Sequence, residues 1–170
     1  MPTVLRRSAL ITGLACLPLV LGSCGVLDAA RCESGYTRPD FAALRSELVA
    51  AKALWKAKGF PNYNYDFSRF AAPVGFPVQR IQVIGGKVSR VDLADGSGSL
   101  DMEQGKTVEG LFTDIETAIA RQEGGTCALL SAAYDPRDGH PTQFGSGIAT
   151  RGVADGFGTW AVSRFAQLVD

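Results

Sequence analysis

Two stretches in which apolar residues recur every three or four positions, each closed by glycine, divide this chain, and three short stretches of strand character follow each one. No other feature limits the fold as strongly. In RPDFAALRSELVAAKALWKAKGFP, Phe41, Leu44, Leu48, Ala51 and Trp55 share one face of a helix. Pro39 suits its first turn, and Lys52, Lys56 and Lys58 load the end where the helix dipole favours cations. Gly59 is a natural left-handed stop ahead of Pro61. In KTVEGLFTDIETAIARQEGG, Thr107 is placed to cap, and Val108, Leu111, Phe112, Ile115 and Ile119 form the apolar face. Gly124-Gly125 ends this second helix.

Between and after the helices the period changes from 3.6 to 2. NYNYDFSRF points Tyr63, Tyr65 and Phe67 to one side and Asn64, Asp66 and Ser68 to the other. PVQRIQVIGGKVSRVDL reads as two strands joined at Gly85-Gly86, a two-residue turn in which glycine tolerates positive φ. Asp95 to Ser99 is a loop, TCALLSAAYDPRDGHPTQFGSGIA a strand, a turn and a strand, and GTWAVSRFAQLV the last strand. Connections this short require antiparallel pairing. The expected fold is therefore α+β: one antiparallel sheet of about six strands with two helices on one face, in the order α-βββ-α-βββ, over residues 39–170. Tyr63, Tyr65, Phe67, Trp160 and Phe165 are expected in its core. Strand order is not written in such a pattern.

The N-terminus carries a different message. Arg6 and Arg7 precede an uncharged run from Ser8 to Leu21, the length of a signal-peptide segment and shorter than the ~20 residues a membrane span needs. Leu21-Gly22-Ser23-Cys24 then resembles the lipobox of bacterial lipoprotein precursors. That resemblance implies a diacylglyceryl group on the Cys24 thiol, cleavage between Ser23 and Cys24, and acylation of the new amine. Residues 1–23 would be the signal peptide and 24–38 a lipidated tether. The protein would sit in the bacterial cell envelope, extracytoplasmic, on the periplasmic side or the outer surface, held to the membrane by its N-terminal lipid. The alternative is an ordinary secretory signal with a cysteine near its cleavage site. Arg6-Arg7-Ser8-Ala9-Leu10 also has some likeness to a twin-arginine export signal, although Ala9 stands where such signals favour a bulky residue.

Cleavage after residue 23 of the 170 leaves 147, enough for one domain with a proper core. The whole chain has 17 basic and 17 acidic residues; Arg6 and Arg7 leave with the leader, so 15 face 17 and no basic patch marks a nucleic-acid partner. Of the four cysteines, Cys16 leaves with the leader and Cys24 is the lipidation site. Cys32 and Cys127 remain, and in an oxidising compartment a disulfide is expected between them; two buried free thiols are the alternative.

YDPRDGHPT, Tyr134 to Thr142, is the most distinctive peptide. Together with TVEGLF and the aromatic-rich first strand it resembles a family of uncharacterised secreted bacterial proteins, many of them lipoproteins, known only as domain of unknown function family 6174. The resemblance runs roughly from Trp55 to Phe165 and is sharpest at Asp135-Pro136, Gly139-His140-Pro141-Thr142 and Leu111-Phe112. Two departures stand out. Phe70-Ala71-Ala72 occupies a stretch where the family often has cysteine, and Asp155 alone represents the acidic residues before the last strand. The resemblance implies no activity.

Read from its residues, Asp135-Pro136-Arg137-Asp138-Gly139 is turn chemistry: Pro136 presets φ, Asp135 can accept backbone N–H groups, and Gly139 supplies a left-handed residue. The competing reading makes Asp135, Asp138 and His140 a polar cluster for a cation or ligand, a poor set for any one metal. No metal and no cofactor is expected. His140 is the only histidine, and no nucleophile elbow, HExxH helix or phosphate-binding glycine loop is present. The chain thus reads as a non-catalytic binding or structural module with an envelope protein as its candidate partner. The alternatives are a carrier or inhibitor that takes a small molecule or protein between sheet and helix and, further off, a carboxylate-based hydrolase.

Overall fold

The structure, a computed structural model, describes residues 32–153 and 156–169. The expected signal peptide, residues 1–23, and with it Cys24 and Asp155, lie outside the described residues. Helix α1 runs from Phe41 to Lys58 and buries all five residues of its predicted stripe. Its cap is Asp40, whose carboxylate accepts the N–H groups of Ala42 and Ala43, so Pro39 precedes the cap instead of sitting in the first turn. Gly59 closes α1 at φ 61°, its N–H donating to the Trp55 carbonyl. Helix α2, Val108–Gln122, starts as expected at Thr107, whose hydroxyl accepts the Gly110 N–H at 3.2 Å.

The strands are β1 (Tyr63–Ala71), β2 (Val74–Gly75), β3 (Gln79–Ile84), β4 (Lys87–Leu93), β5 (Ala128–Tyr134), β6 (Pro141–Ile148) and β7 (Phe157–Gln167). They form one antiparallel sheet in the order β4-β3-β1-β7-β6-β5, with the two-residue β2 paired to the end of β1. The α+β architecture is the expected one; β2, reached through a cis Ala72–Pro73 bond, is the added strand. Gly85 and Gly86, at φ 59° and 72°, make the turn between β3 and β4. Two meanders, one after each helix, are thus joined at the centre of the sheet by the pairing of β1 with β7.

Both helices lie on one face. The Trp55 indole N–H donates to Glu109 at 2.7 Å, tying α1 to α2, and the Tyr63 hydroxyl accepts the Val108 N–H at 2.9 Å, tying α2 to the sheet. That N–H is one of the donors a helix start leaves unpaired, here in a fully buried place. Burial pushes the Tyr63 and Tyr65 hydroxyls above the usual phenol range. Tyr63→Phe will cost about 1–3 kcal/mol, because the Val108 N–H is left without an acceptor. Tyr134 is the contrasting case: its buried hydroxyl has no hydrogen-bond partner among the described residues, and burial raises it to about 12. Tyr134→Phe will be neutral or stabilising by about 1 kcal/mol or less, since it removes a desolvated group that bonds to nothing. Urea titrations of the two variants check the pair.

A bulge in β7 sets which of its side chains face the helices. Asn64 pairs with Ala166 but Asp66 with Ser163, so Tyr65 alone spans Arg164 and Phe165, and Arg164 sits at φ 51°. The extra residue reverses the alternation. Val162 and Phe165 both turn to the core side, where Phe165 meets Trp55 and Tyr63, while Arg164 turns to the open side and pairs with Asp66.

Candidate functional site

The loop 135–140 between β5 and β6 carries the three polar residues singled out above. Asp135 accepts the Arg137 N–H at 2.8 Å and pairs with its guanidinium, also at 2.8 Å. Asp138 and His140 meet each other: Nδ1 of His140 lies 2.6 Å from an Asp138 oxygen that also takes the His140 backbone N–H at 3.1 Å. Both are buried, and the imidazole stacks on Phe165 with ring centroids 4.3 Å apart. The loop therefore brings Asp138 and His140 together and turns Asp135 to Arg137. Among the described residues no three His, Cys, Asp or Glu side chains are grouped to hold a metal ion.

Gly139 explains the shape of the loop. At φ 84° its Cα lies so close to α1 that a Cβ would fall 2.3 Å from the Ala51 carbonyl oxygen. The peptide is a clasp that fastens the β5–β6 hairpin onto α1 and seats His140 beside β7. Arg137 holds the Asp135 carboxyl down to about 2, from an ordinary 3.8. A depressed carboxyl stabilises the fold above its unfolded pKa, and the contribution is lost as pH falls through the folded value. Asp135→Asn will therefore be less stable than the parent at pH 7, and the gap will close between pH 3.8 and about 2. Paired denaturation curves across that range check it.

Three surfaces remain for binding. On the open face of the sheet, Asp66 is buried beneath Arg80, which donates to it through Nε at 2.8 Å, and Arg164, 3.3 Å away. Beside it Ser68, Phe70, Ser131, Gln143 and Thr159 line a shallow depression of about 370 Å³. On the helix side, Trp55, Phe60 and Phe112, with Lys52, Lys56 and Glu109 at the rim, line a groove of about 520 Å³ between α1 and α2. The third surface is the end of the sheet where Cys32 and Cys127 form a disulfide, their Cα atoms 5.3 Å apart. Cys32 also bridges to Thr150 just beyond β6.

Of the aromatics expected in the core, Tyr63, Tyr65 and Trp160 are buried, and Phe67 and Phe165 are half-buried against the same cluster. The exposed aromatics are others: Phe70, Phe76 and Phe157. For Phe70 and Phe76 the signal was present in FAAPVGFPV, residues 70–78, an apolar run with two prolines where a connection between strands is ordinarily polar. The guanidinium of Arg69 lies over the Phe76 ring, 4.0 Å from its centroid.

Fold and surfaces together define a two-layer α+β domain whose polar loop is a structural clasp and whose free surfaces are a sheet face, a helix groove and a disulfide-bearing end. The chain belongs to a family described as a family of unknown function (DUF6174), whose model matches residues 47–167, slightly more than the span of the resemblance. No curated protein matches it.

Proposed function

We propose that this protein is a lipid-anchored, extracytoplasmic module of the bacterial cell envelope that works by binding, not by catalysis. The observation that carries the reading is covalent. Leu21-Gly22-Ser23-Cys24 closes a segment in which Arg6 and Arg7 precede an uncharged run, and eight residues further on Cys32 is bridged to Cys127, a bond characteristic of oxidising compartments. The non-catalytic part of the reading is supported by the fate of the single histidine, which is buried against Phe165 and bonded to Asp138. For a protein partner in the envelope, the hydroxyl- and amide-lined depression on the open sheet face offers directional hydrogen bonds.

Intact mass of the membrane-extracted protein, with and without reductant, tests the address. The expected species begins at Cys24, carries acyl mass and gains two hydrogens on reduction; a chain cut elsewhere with a bare Cys24 refutes it. Crosslinking and capture from native envelopes tests for the partner. The groove between α1 and α2 favours a second reading, a carrier or inhibitor, because Trp55, Phe60 and Phe112 offer apolar contact with Lys56 at the rim. Ligand-induced stabilisation without any captured protein would select it.

A further inference from the structure

We propose that the disulfide-bearing end of the sheet lies directly against the lipid bilayer, with Phe70, Val74, Phe76 and Phe157 seated at the boundary between headgroups and acyl chains. The inference rests on the anchored reading above and adds a defined orientation to it.

Register places these residues at one end. Ala71 pairs with Val74 and with Gly158, Phe157 with Gly147, and Ala128 with Ile148, while Cys32 bridges to Thr150 just past β6. The chain toward Cys24 therefore leaves from the end that carries the rings. Cys32 follows Cys24 by eight positions, and a fully extended chain covers at most ~3.5 Å per residue, so Cys32 cannot stand more than ~28 Å from a lipidated Cys24. A tether that short keeps this end near the surface whatever its conformation.

The distribution of apolar residues fits that constraint. Of the ten large hydrophobic residues exposed among the described residues, five lie at this end: Phe70, Val74, Phe76, Ile148 and Phe157. Ile84 and Val169 mark the opposite end, beside the Gly85–Gly86 turn. Exposures of 41% for Phe70, 52% for Val74, 38% for Phe76 and 39% for Phe157 leave each ring or branch partly open to insertion. Isolated exposed hydrophobics are ordinary, but a concentration of them on one surface marks an interaction site. Arg69 suits the same boundary, because its guanidinium over Phe76 can reach anionic headgroups while its stem stays with the ring. Arg151, exposed just after Thr150, adds a second cation there.

The test uses the full chain, processed in its native envelope and reconstituted in phosphatidylethanolamine–phosphatidylglycerol vesicles with brominated acyl chains. Tryptophan is introduced singly as Phe76→Trp or, at the opposite end, as Ile84→Trp. The emission that Phe76→Trp adds to that of the native Trp55 and Trp160 is expected to be quenched by about twofold relative to unbrominated vesicles, as suits a ring ~5–10 Å deep in the interface, and the emission that Ile84→Trp adds to show no quenching. In the unaltered chain on the same vesicles, hydroxyl-radical labelling of Phe70, Phe76 and Phe157 should fall relative to Ile84, compared with a Cys24→Ser chain made without residues 1–23, in solution. Equal quenching at both ends, or unchanged labelling, on protein whose intact mass shows acylated Cys24 overturns the orientation and leaves the anchor standing. A bare Cys24 overturns both.

Discussion

Replacing Cys32 and Cys127 together by alanine will lower the unfolding free energy by about 4–5 kcal/mol, the chain-entropy value for a closed loop of this length. The two residues are 95 apart in sequence, and the bond closes both helices and strands β1 to β4 into one ring, with β5 to β7 outside it. Its neighbourhood offers little else to hold the first described residues. Among the described residues, Cys32, Cys127 and Ala149 form a small cluster apart from the main core, with Tyr36 and Leu129 packed against it. Without the bond, the Glu33 N–H to Ala149 bond and the Tyr36 hydroxyl to Ala128 bond must hold residues 32–38 with help from Arg38. The loss should appear as a fall in Tm of ~10–15 °C, and as fast amide exchange at Glu33. Reductant added to the parent protein should reproduce both changes. A loss below about 1 kcal/mol would mean that the unfolded chain is already compact enough for the ring to matter little.

Gly139→Ala will destabilise by about 3 kcal/mol or more, for two reasons that add. A non-glycine residue in the left-handed region costs roughly 1–2 kcal/mol, and Gly139 sits at φ 84°. The new methyl would also stand 2.3 Å from the Ala51 carbonyl oxygen and 3.0 Å from the Trp55 nitrogen, both backbone atoms of α1. A helix backbone cannot give way as a side chain can, so the whole clasp must lift, and His140 with it. Gly96→Ala separates the two terms, because Gly96 has φ 80° with nothing within 4 Å of its would-be Cβ. It should cost only the conformational part. Equal losses from the two variants, by chemical denaturation, would show that the close approach to α1 contributes nothing.

What was legible beforehand is what short-range rules govern. Asp40 aside, the helix signals lay in the residues expected: five buried positions on α1, Thr107 as a cap, Gly59 as a stop. Gly85-Gly86 announced its hairpin because only positive φ closes a two-residue turn between twisted strands. In YDPRDGHPT the turn chemistry was readable, yet the reason for its glycine was not, since Ala51 is far away along the chain. The candidate polar trio likewise divided along lines no spacing reveals: Asp135 to Arg137, Asp138 to His140.

The sequence by itself determined the α+β class, the extent of both helices, the tight turn, and the expectation of a bond between Cys32 and Cys127. Each of these follows from the backbone preferences of a few neighbouring residues or from counting. Only the tertiary structure decided that β7 returns to the centre beside β1, that a single extra residue at Arg164 sends Phe165 to the core and Arg164 to Asp66, and that three phenylalanines collect at the end bearing the disulfide. Those outcomes depend on which distant segments meet. Strand pairing uses the same backbone hydrogen bonds whatever the partner, so the choice falls to side-chain packing across the assembled sheet.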